Sequence, residues 1–242
     1  MDFDQIRRKV DGIPHMSAHH GRVIYDHVRE TRPSLILELG SACGVSAAYM
    51  SGALDANDHG QLISVDVDRA RYEPKPEALL AELGLNHRAE FVRVADSSYN
   101  WILRGQVADR SDAAGNCEPL YDFVFVDGAH EFTIDGLATV LASKLLRPGG
   151  WMLLDDLDWS HAQYDNPGPF PMSQAQLTTP NVREVYDLLI KADPTLTEFR
   201  EEDGAWGWAK KGTGARTLTL SVSESLPSIA LRKIKSIARP RR

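Results

Sequence analysis

Six acidic side chains in this 242-residue chain each close a short apolar run: Glu38, Asp66, Asp96, Asp127 and the pair Asp155-Asp156. Carboxylates so placed can grip a ribose diol, ligate a cation or accept a proton. One acid after a strand is unremarkable, because Asp is common in turns and at helix starts. An acid closing each of five successive runs points to a shared rim. Asp66 lies 22 residues after Gly44, near the spacing at which an acid binds ribose hydroxyls. Asp96 closes the next run outward and fits a place beside a base. Asp127, Asp155 and Asp156 gather on the other side if the fourth and fifth strands are neighbours.

Two carboxylates about 4 Å apart repel by roughly 4 kcal/mol at an effective dielectric of 20, so three converging need compensation. A divalent cation supplies it, and an all-oxygen set suits magnesium, calcium or manganese rather than zinc. Consecutive strand residues point to opposite faces. Asp155 and Asp156 can therefore share a cation only if the strand ends there and the backbone turns.

The stretch Leu35–Ser46 runs from apolar residues through Glu38 into a turn bracketed by Gly40 and Gly44. It reads as a buried strand, a tight loop and a helix start whose free amides can face a ligand. The two glycines let the backbone turn and approach that ligand closely. Ala42 stands where the dinucleotide fingerprint G-x-G-x-x-G needs its second glycine, which counts against a nicotinamide-dependent oxidoreductase.

The elements that must position these residues follow from periodicity. Helices are expected over 2–10 and 18–31, closed by Pro33, with an irregular link at Gly12–Ser17. Five apolar strands, at 34–39, 61–66, 89–94, 123–127 and 151–156, alternate with helices from Gly44, Pro76, Ser98 and the 131 region. In the last of these, Ile134, Leu137, Leu141 and Leu145 form an apolar stripe that ends before Pro148-Gly149-Gly150. This alternation predicts an α/β fold with a doubly wound parallel sheet. A Pro- and Gly-rich loop at 157–179 breaks the pattern, and a helix at 181–192 leads to a terminal antiparallel hairpin, 196–200 with 205–210. No internal repeat is visible.

The composition is globular, 43% hydrophobic and 25% charged. Two cysteines, Cys43 and Cys117, make no disulfide framework, which fits a reducing compartment. The net charge of −7 is uneven: residues 1–226 carry 21 basic against 34 acidic residues, whereas six basic residues and no acid follow Pro227. So acidic a body argues against nucleic acid as partner. The N-terminus lacks the order of a signal peptide and no apolar run is long enough to span a bilayer, so a cytoplasmic protein is expected. Leu226, Ile229, Ala230, Lys233, Ile234 and Ile237 could line a basic amphipathic helix suited to an anionic membrane surface; a solvated tail is the plainer reading.

With those residues placed, the chain resembles the class I S-adenosylmethionine-dependent methyltransferases. It is most similar to their divalent-metal O-methyltransferase branch, which includes catechol, caffeoyl-coenzyme A and macrocin-type enzymes. The matching segments, within residues 12–211, are Glu38–Gly44, Val65-Asp66, Ala95–Ser97, Val126–His130 and Leu154–Asp156. The resemblance implies a seven-stranded, mostly parallel Rossmann-like sheet over 34–212, behind a helical cap at 1–33 and before a tail at 213–242. It implies S-adenosylmethionine held at Glu38, Gly40, Ser41, Ala42, Cys43, Gly44, Ser46, Asp66, Val67, Asp96, Ser97 and Asp127, with Ile13–Ser17 folding over it. A cation, magnesium first, would sit on Asp127, Asp155 and Asp156. Trp159, His161 and Tyr164 would line a substrate lid, or stand on an ordinary exposed loop.

Where catechol-type enzymes carry a lysine three residues after the first metal aspartate, this chain has His130. Some sugar enzymes carry an aspartate two residues after it, and here Ala129 stands. The expected reaction moves a methyl group to a small-molecule hydroxyl, first a sugar or secondary-metabolite hydroxyl, then a phenol. The cation would activate the acceptor, with His130 taking its proton and Asp127 beside it. His130 could equally be a surface histidine opening the next helix. The rivals are the oxidoreductase and a non-catalytic scaffold of the same fold. A homodimer is compatible with the sequence, which does not set the oligomeric state.

Overall fold

The computed structural model describes residues 1–67, 72–94, 99–163 and 171–214. Asp96, Ser97, Tyr164 and the basic stretch from Leu226 lie outside them. The first half of the chain forms α1 (Phe3–Val10), α2 (Ala18–Thr31), β1 (Leu35–Leu39), α3 (Val45–Ala56), β2 (Gln61–Val67), α4 (Pro76–Glu82), β3 (Ala89–Val94) and α5 (Asn100–Arg110). The second half forms β4 (Tyr121–Val126), α6 (Phe132–Leu145), β5 (Leu146–Leu154), α7 (Gln174–Thr178), α8 (Asn181–Val185), β6 (Leu196–Glu202) and β7 (Trp206–Lys211). A single π-helical turn, Tyr186–Ile190, continues α8.

The seven strands form one sheet in the order β3-β2-β1-β4-β5-β7-β6. The first five are parallel, and β7 runs antiparallel between β5 and β6. This is the doubly wound sheet with a reversed terminal hairpin that the alternation and the resemblance predict. The order reverses at β1, so the crevice for a ligand opens between the ends of β1 and β4.

Period-two alternation sorts the strand residues onto two cores. Ile36, Phe123, Phe125, Leu153, Trp206 and Trp208 face α1, α2 and α3. Leu37, Leu39, Val124, Val126, Met152 and Leu154 face α5, α6 and α8. Phe3, Ile6, Ile24 and Val28 belong to the first core, so residues 1–33 share it with the sheet. Asp2 accepts from Gln5 N in a capping box that starts α1, and Ser17 accepts from His20 N to start α2.

Helix α6 sets Ile134, Leu141 and Leu145 of its expected stripe against the core but not Leu137. Leu137 and Val140 are exposed, at 51% and 42%, and the buried face is Gly136, Ala138, Thr139, Ala142 and Ser143 with Leu145. Small residues let α6 lie close to its neighbours; a β-carbon on Gly136 would sit 3.0 Å from Leu189 Cδ1. The chain also leaves α6 at Leu145 and is extended from Leu146, before Pro148.

Candidate active site

The backbone ladder runs one residue past the parallel strands and sets the acids in register. Gly40 N donates to Val65 O, Asp127 N to Leu39 O and Asp155 N to Val126 O, each at 2.9 Å. Glu38 does not reach the surface of this rim. It is fully buried, facing the α3 side, and its carboxylate accepts from Ser46 Oγ at 2.5 Å and from Ser64 Oγ. Burial pushes its carboxyl up to about 7 against the two serine donors.

That shift has a testable consequence. Glu38 in the folded chain stays protonated to about pH 7, whereas the unfolded chain releases the proton near 4.5. Its contribution to stability is therefore fully present below about pH 4.5 and is lost as pH rises through 7, worth roughly 3 kcal/mol. Urea melts of the wild type and of Glu38→Gln should differ in slope across that window, the variant being the flatter. Equal pH dependence in both would refute the assignment.

Gly40 and Gly44 adopt φ of +98° and +85°, and Ala42 itself stands at +40°. Packing against protein also requires glycine at both positions. A β-carbon on Gly40 would lie 1.8 Å from the carbonyl oxygen of Asp127, and one on Gly44 would lie 2.6 Å from Pro76 Cβ. Asp66 Oδ2 pins the loop by accepting from Ser41 N and Ala42 N, both at 3.0 Å, while Oδ1 accepts from Val67 N. A carboxylate has about four acceptor positions, so one remains for a ribose hydroxyl. The buried Cys43 thiol donates to Glu73 O at 3.6 Å.

Beyond β4 and β5 the expected carboxylates divide. Asp156 has φ +58°, so the backbone does turn directly after the strand. The turn sends the two neighbours different ways. Asp155 Oδ1 accepts from Trp206 Nε1 at 2.6 Å and from Asp156 N at 2.7 Å. Asp156 instead meets His130, whose Nε2 stands 2.9 Å from Asp156 Oδ2 and 3.7 Å from Asp127 Oδ1. One donor atom from each of Asp127, His130 and Asp156 lies within 4.8 Å of the other two. Nε2 of His130 is buried and, among the described residues, no oxygen lies on its hydrogen-bond line.

The set fits a divalent cation. Burial, then the charges of Asp155 and Asp156, hold the Asp127 carboxyl well above the usual range. Burial and Asp156 likewise push Asp155 up to about 7. Burial alone would lower His130, but contact with Asp156 and the charges of Asp135, Asp156 and Asp155 outweigh it and raise it. Burial is the larger cause for both carboxyls, and the negative charge crowded beside them adds to it. The converging donors are two carboxylates and an imidazole, with Asp155 beside them.

Several residues that sequence reasoning missed hold this geometry. His130 sits at φ +54° on a turn clamped by Asp135, a buried α6 residue. Asp135 accepts from Ala129 N at 3.2 Å, from Glu131 N at 3.0 Å and from Tyr99 Oη. Tyr99 Oη also accepts from Ala129 N. A β-carbon on Gly128 would lie 2.0 Å from Tyr99 Oη. His161 Nε2–H donates to the His130 carbonyl at 2.9 Å. Trp159 lies 4.7 Å from His130, tilted at 52°, and 4.8 Å from His161 edge to face, ring centre to ring centre. An open cavity of about 320 Å³ adjoins Asp156, walled by Asp158, Trp159 and Gln163 on one side and the 203–205 turn on the other.

Comparison with known proteins decides the family. Residues 37–157, half of the chain, match the family described as "Methyltransferase domain". The chain belongs to it. This methyltransferase has the class I fold, and solved structures share that fold across most of its length. The O-methyltransferase TomG from Streptomyces achromogenes, involved in tomaymycin synthesis and solved with SAM, is 23% identical at a TM-score of 0.58 and covers 87% of each chain. An O-methyltransferase from Bacillus cereus in complex with SAH is 18% identical at 0.60, covering 86% of this chain and 90% of that one. The SAH-bound methyltransferase PaMTH1 from Podospora anserina is 15% identical at 0.60, covering 86% of each. No curated protein matches the chain. Among the described residues, no helix of this methyltransferase is long and apolar enough to cross a membrane.

Proposed function

We propose that this methyltransferase transfers the methyl group of S-adenosylmethionine to a hydroxyl of a small molecule, with a divalent cation at the reacting oxygen. The observation that carries the reading is the convergence of Asp127, His130 and Asp156 beside the loop that Asp66 pins. The solved relatives that hold SAM or SAH support the donor.

The donor would lie along Gly40–Gly44 with its ribose on Asp66, and the cation on Asp127 and Asp156. When bound, the donor supplies a methyl carbon on a sulfonium sulfur that departs as a thioether, and the cation supplies Lewis acidity that lowers the acceptor's pKa. The chain's own part is to hold and deprotonate the acceptor. His130 Nε2 takes the hydroxyl proton, helped by the neighbouring carboxylates that stabilise an imidazolium. Trp159, tilted against His130, helps hold the ring in place.

A second reading has its own support, since His130 Nε2 is one of the three converging donor atoms. There His130 ligates the cation and cannot also accept the proton. Manganese binding followed by electron paramagnetic resonance separates the two. A His130→Ala chain that binds manganese as the wild type does identifies a base, and a tenfold or greater loss of affinity identifies a ligand.

Transfer from labelled S-adenosylmethionine to a panel of sugar and phenolic hydroxyls tests the whole reading. Activity should vanish with chelator and return with magnesium, and S-adenosylhomocysteine should raise the melting temperature where NAD does not. Turnover unaffected by chelator would leave the methyltransferase and remove the cation.

A further inference from the structure

Trp206 opens β7, the antiparallel strand, and is fully buried. Its Nε1–H donates to Asp155 Oδ1 at 2.6 Å, across 51 residues of sequence. The same oxygen accepts from Asp156 N at 2.7 Å, a donor that belongs to the next residue along the chain. Asp155 is itself buried, so water cannot readily replace a donor that it loses. Two donors on one oxygen set the direction of a carboxylate that could otherwise turn about its side-chain bonds.

The indole is the fixed member of the pair. His20 of α2 stacks on it, 4.4 Å between ring centres and 28° between planes. Phe125 and Trp208 meet it edge to face at 6.2 and 6.1 Å. Backbone pairing brackets the contact as well: Leu154 pairs with Gly207, and Leu157 N donates to Ala205 O at 2.8 Å. The ring cannot follow the carboxylate, so the carboxylate follows the ring. Asp155 in turn stands beside the converging donors, and after burial its charge acts most strongly on the Asp127 carboxyl. Groups that hold a carboxylate at a cation site act on the cation through it.

We propose that Trp206 is a positioning residue for methyl transfer: its indole N–H fixes the Asp155 carboxylate in the orientation that serves a cation on Asp127 and Asp156. This rests on the cation reading and extends the site to β7 and, through His20, to the N-terminal helices. Trp206→Phe keeps a ring against His20 and removes only the N–H donor.

Manganese binding to the full chain, followed by electron paramagnetic resonance, tests it. Trp206→Phe should weaken manganese affinity about tenfold, the usual scale for losing a partner that orients a ligand shell. In an Asp155→Ala background there is no carboxylate left to orient, and the same substitution should change affinity by less than about twofold. The indole ¹⁵N–H signals of the wild type give a readout that needs no substitution. On adding magnesium chloride the Trp206 signal should shift, whereas that of Trp208, whose Nε1–H donates to Glu202 Oε2 at 3.1 Å outside the converging set, should stay in place. Unchanged manganese affinity in Trp206→Phe, an equal loss in both backgrounds, or a Trp206 signal unmoved at saturating magnesium would each overturn the proposal. A wild type that binds no manganese would instead overturn the cation reading beneath it.

Discussion

Asp127→Asn should lower kcat/KM for methyl transfer by about a thousandfold, roughly 4 kcal/mol of transition-state stabilisation. It should also leave the cation-free protein as stable as the wild type or more so. The two effects have one cause. Asp127 ends β4, between the strands that carry Gly40 and Asp155, and its carboxyl is held well above the usual range by burial and by Asp155 and Asp156. Burial and the neighbouring charges make an ionised carboxylate costly there in the folded chain, and an amide removes that cost. With a cation bound, the same amide withholds a negative charge where it is needed. Steady-state kinetics, calorimetric melts in chelator and manganese binding check the pair. Unchanged manganese affinity in the variant would sink the assignment of Asp127 as a ligand.

Asp135→Asn should cost about a hundredfold in kcat with little change in KM for the donor, and about 2 kcal/mol of stability. Asp135 touches neither the cavity nor the converging donors. It fixes the 128–131 turn by accepting from Ala129 N, Glu131 N and Tyr99 Oη. An asparagine keeps the oxygen on one side and presents an NH₂ group to Glu131 N–H on the other, so the turn that holds His130 at φ +54° must relax. A displacement of about 1 Å at a reacting group is enough for a loss of that size. Tyr99→Phe removes one donor from Asp135 and one acceptor from Ala129 N, and should cost nearer tenfold. Imidazole resonances of histidine-labelled protein report whether His130 has moved. A His130 signal unmoved in Asp135→Asn, with kcat intact, would show the clamp to be structural only.

Much of the architecture was legible because burial writes itself into local pattern. The central strands β1 and β4 are buried on both faces, so each reads as a short apolar run, and the glycine turn after β1 marks the crevice. The terminal hairpin could be read from two strand-like runs around Glu201–Gly204. The apolar stripe expected on α6 held at Ile134, Leu141 and Leu145 and broke at Leu137 for a physical reason. Periodicity finds hydrophobic faces, whereas α6 packs through Gly136, Ala138 and Ala142 and leaves Leu137 exposed. Close approach of backbones selects small residues, and a hydropathy pattern does not register that.

The chain by itself determined the sheet, the glycine loop and which strand ends carry acids, because these follow from residue type and spacing along one segment. Only the tertiary structure decided how Asp155 and Asp156 part, one to Trp206 and the other to His130. The same holds for Glu38, sealed under the loop by Ser46 and Ser64, and for Asp135, which meets Tyr99 from 36 residues away. A side chain's role in a site depends on which way its backbone turns and on what distant segments place beside it. Neither quantity is carried by the residues next to it in sequence.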